Sequence, residues 1–535
     1  MRQKNIFKKW LAGACLLAIA SCAELTPVQN QTEENVSGQG TRIEVLGLRT
    51  ETDTKVTLSG TTFAWHEGDT IAVWTGTSES NGKYQECIVA ANGSLPVTLQ
   101  EGESRFHYAL YPASIRAKNS YTDATLRVIL PDSYDYDLVC GDNVRTPMIA
   151  VNNNGSSNLV FYNLASMLRL TVTLPKRTVK LKIKFHSVNQ DHLDRHISGE
   201  FIVGTSSEHV VVGTSCIRRS NQLAGGVDEM FITGIHDIPE SDSTITVNIP
   251  IPIADDYNDF SVSAWDSEGK AIKAEIVHLA TDYNATRAHG KIITTVLTQG
   301  TFAISDDKYC IISPANLMYD GTKEAGKRFV FHENEHDIIS IDNQNYTEGG
   351  VIDRFPYGSS GANGINPWNK GSYYTNDLRD NNADWGYYNE ISSYKKKTWC
   401  TPSSNDWKSF ISNDYFQASA SLDNVKGFIL LPVNYSGPAV VKGMRLKIDN
   451  TYTSTADNWK QMKEAGAIFL PIDDNYANYW TGTHGNYSNE AFYFSNQIGG
   501  SGNDQYYLLG TGTDVSIKKA SLSSRFSRVR LIHIL

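Results

Sequence analysis

The sequence predicts a mainly β chain of three domains, two tandem β-sandwiches followed by an α+β domain, and three observations carry that reading. At about 150 residues per domain, 535 residues exceed what one core holds. Between residues 41 and 297, short runs alternate apolar and polar side chains, broken by Gly, Asn, Asp and Pro, with hardly any sustained 3.6-residue period. After Leu297 the texture changes: residues 300–535 hold six of the ten tryptophans and 18 of the 27 tyrosines, among many Asn, Gly and Ser. With 41 glycines, 7 methionines and 20% charged residues, the chain is neither a coiled coil nor a disordered polymer. Its net charge of −10 offers no basic field for a phosphate backbone, so nucleic acid is not an expected partner.

The amino terminus reads as an export signal. Arg2, Lys4, Lys8 and Lys9 form a positive flank, and Leu11 to Ala20 is an apolar stretch about half as long as a bilayer span. It ends Ile19-Ala-Ser-Cys22, which resembles the lipobox of bacterial lipoproteins and implies that the Cys22 thiol is acylated after residues 1–22 have directed export. Residues 23–40 lack any apolar period and read as a flexible tether. Cys15 leaves with the signal; Cys87, Cys140, Cys216, Cys310 and Cys400 are scattered, and their pairing is left open.

From Thr41 the pieces Ile43/Val45, Leu46/Leu48, Val56/Leu58 and Ile71/Val73 read as short antiparallel strands, followed by Leu126–Leu130, Leu168–Leu174, Val179–Phe185, Ile245–Ile251, Phe260–Trp265 and Ile292–Leu297. Leu46 and Leu48 fall on the opposite parity to Ile43 and Val45, unless Gly47 marks a bulge. Within this span, Lys55-Val-Thr-Leu-Ser-Gly-Thr-Thr-Phe-Ala-Trp65, Glu67-Gly-Asp-Thr-Ile-Ala-Val-Trp74, Tyr108-Ala-Leu-Tyr-Pro112 and Phe161-Tyr-Asn-Leu-Ala-Ser-Met-Leu-Arg-Leu170, in that order, resemble the fimbrillin family of Gram-negative anaerobes. The resemblance implies two sandwich domains, residues 41–160 and 161–298, in a pilus subunit exported as a lipoprotein. It also implies assembly after a trypsin-like protease removes the first strand, opening a groove for a neighbour's strand. Here the cut would follow Arg49, with Lys55 as a second possible site, and would release the four apolar side chains of Thr41–Arg49.

Residues 299–535 carry a second resemblance. Ile312-Ser-Pro-Ala-Asn-Leu-Met-Tyr319, Arg328-Phe-Val-Phe-His332, Asp384-Trp-Gly-Tyr-Tyr388, Trp399-Cys-Thr-Pro402, Phe428-Ile-Leu-Leu-Pro432, Ala465-Gly-Ala-Ile-Phe-Leu-Pro471 and Tyr479-Trp-Thr481 resemble a C-type-lectin-like domain of bacterial surface proteins. The pattern departs from that family at Cys400 and lacks the Glu-Pro-Asn or Gln-Pro-Asp tripeptide used for calcium-dependent sugar binding. Rings set in polar loops suit a recognition surface, for which Trp368, Tyr373, Tyr374, Trp385, Tyr479 and Trp480 are the candidates, although some rings must fill the core. Helices are expected at Asn405–Ile411 and Ala456–Ala465, and Phe526–Leu535 is expected to pair as a strand inside this domain. A chain whose last strand is locked can accept a neighbour's strand but has none to give, which points to the pilus tip.

Signals of catalysis are weak. His332-Glu-Asn-Glu-His336 satisfies HExxH, but that zinc motif needs a helix, and Arg328-Phe-Val-Phe331 reads as a strand. Glu348 and Glu390 are conceivable third ligands. His192 and His196 share the same spacing among polar turns, and Asp380, Asn382 and Asp384 begin like an EF-hand that Trp385 and Ile391 then break. Asp473-Asp-Asn475 is a similar oxygen-rich turn. No cofactor, no metal and no catalytic residue is expected. The chain is expected at the cell outer membrane and in the fimbrium, with other pilus subunits, a host or bacterial surface glycan or protein, and the membrane lipid as partners. The rival expectations are a glycan-binding lipoprotein that never polymerises and a zinc-dependent surface enzyme.

Overall fold

A computed structural model of the chain describes residues 42–50, 65–75, 83–141, 145–185, 197–204, 217–218, 228–236, 243–410, 416–438, 452–471, 476–480, 490–495, 509–510, 514–515, 518–519 and 526–535, with short breaks inside several of these spans. The protein is mainly β, with many short strands and few helices. Cys22, the tether, Lys55, His192, His196, Cys216, Tyr373 and Asp473–Asn475 lie outside the described residues. No helix among the described residues is long and apolar enough to cross a membrane.

The first unit is built on a six-stranded sheet in the order Gly47–Thr50, Asn158–Asn163, Met148–Val151, Phe106–Tyr111, Thr70–Thr75, Lys83–Ile88. Along Thr70–Thr75, Ile71 and Val73 enter one cluster with Leu95, Val97, Leu159 and Phe161, whereas Ala72 and Trp74 enter another with Val128, Leu130 and Phe201. The sheet is therefore covered on both faces. Its second cover is a four-stranded sheet ordered Ile217–Arg218, Gly199–Gly204, Thr125–Leu130, Arg116–Thr122. Double burial explains why Ile71-Ala-Val-Trp74 is apolar throughout instead of alternating. Asn158–Asn163 pairs within the first sheet, so the expected boundary at 160/161 falls inside a strand. Phe201 reaches back from the far side of that boundary.

In the second unit, a three-stranded sheet ordered Ser243–Pro252, Ala165–Leu174, Gly290–Val296 faces a six-stranded one ordered Gln299–Gly300, Ala271–Val277, Phe260–Trp265, Lys180–Phe185, Glu229–Thr233, Ser133–Asp135. Leu168, Leu170, Val172 and Leu174 meet Leu181, Ile183, Val262 and Ala264 between them. At roughly 2 kcal/mol per fully buried aliphatic side chain, this interface is a main source of stability for the unit. The outer face of Phe260–Trp265 and Ala271–Val277 is buried too: Trp265, Ala271, Ala274 and Ile276 share a cluster with Tyr309, Ile311, Trp385, Trp399 and Leu531. The seam to the carboxy-terminal region is close-packed. A Cβ on Gly300 would lie 2.5 Å from the Gly466 carbonyl oxygen, so neither segment admits a side chain there.

The carboxy-terminal region strings small sheets between loops: Phe302–Ser305, Lys308–Ile312 and Ile532–Ile534 in one, and Tyr452–Thr453, Phe416–Leu422, Val425–Leu430 and Ile468–Pro471 in another. The expected helices form as Ser404–Phe410 and Ala456–Glu464. The first is fixed by a reciprocal cap in which the Asp406 carboxylate accepts from the Ser403 N–H at 2.7 Å and the Ser403 hydroxyl accepts from the Asp406 N–H at 3.2 Å.

Candidate functional site

The leading segment carries the expected processing residue, and its parity fault has a topological cause. Arg42–Val45 pairs antiparallel with Leu95–Thr98 in a two-stranded sheet, while Gly47–Thr50 pairs parallel with Asn158–Asn163 at the edge of the six-stranded sheet. The chain changes sheets between Val45 and Gly47, so the two halves obey different alternations and no bulge within one ladder is needed. Ile43 and Val45 stand in register with Val97 and Leu95, and Leu48 with Leu159, all three partners being buried. Arg49 stands in register with Val160, which is 37% exposed. Among the described residues each half has one neighbouring strand, and removing residues 42–49 would leave Leu95–Thr98 and Asn158–Asn163 with unpaired edges above buried apolar side chains.

The closing segment is held from every side. Cys310, Ile311 and Ile312 pair with Ile534, His533 and Ile532, and Cys400 bridges Ile532 from the other flank. Upstream, Phe355 bridges Ser527, and the Ser313 and Leu317 N–H groups donate to Leu531 and Val529. Arg528, fully buried, donates from Nε to the equally buried Asp353 at 3.2 Å and from Nη2 to the Ile339 carbonyl at 3.4 Å. Arg530 donates to the Asn316 side chain at 3.2 Å and to the Pro314 carbonyl at 3.0 Å. Burial alone would raise the Asp353 pKa, but the Arg528 charge and donors from His332 and the Ile339 N–H hold it well below the ordinary carboxylate range. Burial pulls His533 down to about 3, so its imidazole is neutral as it bonds the Thr398 carbonyl at 2.7 Å. From the second unit, Lys182 and Lys184 reach the Leu535 and Ile534 carbonyls at 3.4 and 3.3 Å. Burial, and then the neighbouring Lys182, lower the Lys184 pKa. The Arg528/Arg530 alternation in sequence is that of a solvent-facing row; what sequence reasoning missed is that both faces of this segment are covered.

The histidine motif is spent on structure. Residues 332–336 follow the strand Phe329–Phe331 as bends and turns, so the two imidazoles do not share a helical face. His332 Nε2 lies 3.4 Å from Asp353, and His336 Nε2 lies 3.1 Å from Asp423. Glu335 accepts from Trp459 Nε1 at 2.8 Å and from Lys463 at 3.2 Å, tying the helix Ala456–Glu464 to the turn. Glu348 pairs with Arg328 at 3.2 Å and Glu390 lies 4.0 Å from Lys395. Asp384 caps the short helix Trp385–Tyr388 through the Gly386 N–H at 2.9 Å and accepts from the Thr401 N–H at 2.7 Å, while Asp380 is exposed. Burial outweighs those donors and raises Asp384 to about 6. Burial also pushes the Cys87 thiol up to about 12, which keeps it unreactive.

Of the candidate recognition rings, Trp368, Tyr374 and Trp385 have described side chains, and all three pack against the carboxy-terminal core. Trp385 is 0% exposed, packed 5.8 Å from Phe355, and cannot meet a ligand. Trp368 and Tyr374 are half-buried against the same core, Trp368 lying 5.3 Å from Tyr319. Tyr479 and Trp480 lie on the strand Tyr476–Trp480, paired antiparallel with Glu490–Ser495. Trp399, Trp407 and Trp459 are buried as well. In a region with short strands and long loops, few aliphatic rows exist to make a core, and aromatic rings supply it.

No protein-family model and no curated protein matches the chain. Among solved structures, the chain is similar to a candidate cell adhesion protein from Bacteroides ovatus, at 12% identity and a TM-score of 0.29 over 48% of this chain and 92% of that one. It is also similar to a fimbrial protein from Bacteroides ovatus, at 9% identity and a TM-score of 0.21 over 92% of this chain and 99% of that one. A third is the tip fimbrial protein Mfa3 from Porphyromonas gingivalis with C-terminal truncation, at 10% identity and a TM-score of 0.21 over 48% of this chain and 95% of that one.

Proposed function

We propose that the chain is a non-enzymatic fimbrial subunit of the tip. In this reading it is exported as a lipoprotein through acylation of Cys22, reaches the outer membrane, and is trimmed after Arg49. A neighbouring subunit's strand then fills the first unit, and the carboxy-terminal region, read as lectin-like, meets a glycan or protein on a host or bacterial surface. The observation that carries this is the asymmetry of the two ends. The leading segment lies at the edges of two sheets, with Arg49 in register with the partly exposed Val160, whereas the closing strand is bracketed by Cys310 and Cys400 and pinned by two buried arginines. In this reading an acceptor site can be opened at one end, while the segment 526–535 is held too firmly to serve a neighbour as a donor strand.

The test is the mature amino terminus of the surface-extracted protein, read together with its position on fibres by immunogold labelling. The expected result is a chain beginning at Thr50 and labelling at fibre ends. A working protein that retains lipidated Cys22 and stays off fibres would overturn the reading in favour of a surface receptor.

A further inference from the structure

The strand Gly290–Val296 is an edge that the second unit leaves open. It pairs in parallel with Ala165–Leu174, unbroken from Gly290 opposite Met167 to Val296 opposite Thr173, and its other flank has no neighbouring strand among the described residues. Ile293 points inward and is buried in the core of the unit, whereas Ile292, Thr294 and Val296 form an exposed row. Ile292 is 53% and Val296 51% exposed; among the described large apolar side chains only Ile88 is more so. Native edges are ordinarily blunted by a proline, a bulge or a charge in mid-strand, and from Ile292 to Val296 this one has none of them. The sheet behind it is firm. Thr171, beside Thr294, shares a hydroxyl hydrogen bond of 3.0 Å with Thr246, and Thr173, beside Val296, shares one of 3.0 Å with Thr244.

The exposed row reads nearly the same in both directions, and that selects its occupant. When a second copy of the strand is laid antiparallel on the first with Thr294 on the two-fold axis, Thr294 meets Thr294 and Ile292 meets Val296 twice. β-Branched side chains then face one another along the whole row.

The charges fit the same pairing. Lys291, the one charged residue of the strand, falls opposite Leu297 of the other copy. Glu275 stands beside that position, its carboxylate accepting from the Thr298 N–H at 3.4 Å and from the Gln299 side chain at 2.9 Å. Neither Lys291 nor Glu275 has an ion-pair partner among the described residues, and the two-fold axis supplies each with one.

We propose that Gly290–Val296 joins two copies of this chain edge to edge, fusing their three-stranded sheets into one of six strands. The inference goes beyond the proposed function and does not require the leading segment to be trimmed. Sedimentation equilibrium of the purified full chain tests it, with a dimer expected to grow in as concentration rises. Thr294→Lys sets two ammonium groups face to face on the axis and should weaken the dimer tenfold or more; because Thr294 is exposed, the thermal midpoint should stay with the parent. The register is read by cysteine cross-linking. Chains carrying Ile292→Cys and Val296→Cys, mixed under mild oxidation, should link at least ten times faster than either alone. Residues directly opposite have Cα atoms about 4.5–5.5 Å apart, within disulfide reach, whereas the two copies of residue 292 are offset by about 14 Å along the strands. A chain that stays monomeric at every concentration overturns the proposal and leaves the edge to a strand of a different protein. So does a Thr294→Lys chain that dimerises as the parent does, or a cysteine mixture that links no faster than its components.

Discussion

The two ends of the chain are built in opposite ways. At the leading end, eight residues are split between two sheets, Arg42–Val45 beside Leu95–Thr98 and Gly47–Thr50 beside Asn158–Asn163, and each half has a single neighbouring strand among the described residues. At the closing end, a segment of similar length is paired on both flanks, and its two arginines are buried against polar groups from the loops around residues 314–353. Apolar burial through an edge strand is replaceable, because any strand with the right parity restores the same ladder and covers the same side chains. A buried ion pair is not replaceable in that sense, since it demands one specific partner at one position. The difference separates an edge that another strand of the right parity could restore from a segment that only its own partners hold.

The largest expected effect comes from breaking the lock. Arg528→Ala leaves Asp353 buried without its cation and removes the donor to the Ile339 carbonyl, so a loss of roughly 3–5 kcal/mol is expected in urea unfolding, with early proteolysis of the closing segment. Cutting after Arg49 should instead give a product that stays folded and regains stability when a peptide of residues 41–49 is added. If Arg528→Ala unfolds no earlier than the trimmed parent, the contrast between the ends fails.

Two buried aspartates sharpen the same point with opposite signs. Asp353 titrates below its ordinary range in the folded chain, so its contribution is present above pH 3.8 and is lost as pH falls beneath that value. Asp384, held by N–H donors without a cation, titrates near 6 against 3.8 when unfolded. Between those values the folded chain binds more protons, so stability from this group is full below pH 3.8 and falls, by about 3 kcal/mol in all, as pH rises through 6. Unfolding midpoints measured from pH 4 to 7 should show that decline in the parent and not in Asp384→Asn, and a parallel slope in both chains would contradict the assignment.

How much of this was legible in sequence depended on whether a pattern had one physical meaning. The helix ends at Ser404 and Ala456 followed from local rules, because capping and periodicity are set within a few residues. Double burial of the first sheet was hidden: Ile71-Ala-Val-Trp74 is apolar for reasons that involve Phe201, some 130 residues away. Trp385 and Trp368 looked like surface rings because polar loops surround them in sequence, yet those loops fold over a core that the rings themselves compose. The fault of parity at Gly47 was visible but ambiguous, since a bulge and a change of sheet leave the same mark in one strand.

Within the carboxy-terminal region, Glu335→Ala asks whether stiffness is confined to the last segment. It would leave Trp459 Nε1 and Lys463 without their acceptor, and about 1–3 kcal/mol of stability should go with it, read as looser hydrogen exchange in the helix Ala456–Glu464. Zinc added at equimolar concentration should change neither chain, because His332 and His336 point to different carboxylates. A helix that exchanges as slowly as in the parent would show that Glu335 anchors nothing.

The smallest effect on stability belongs to the residue with the largest proposed consequence. Arg49 belongs to an edge strand, in register with the partly exposed Val160, where substitutions shift stability by no more than about 0.5 kcal/mol. Arg49→Gln should therefore unfold with the parent while resisting a trypsin-like protease at this position, and in cells it should accumulate untrimmed and off the fibre. A second cut after Lys55 would rescue assembly, so the double variant with Lys55→Gln distinguishes a missing site from a displaced one. Should the double variant still appear on fibres with an intact leading strand, strand replacement at this edge is not how the chain joins them.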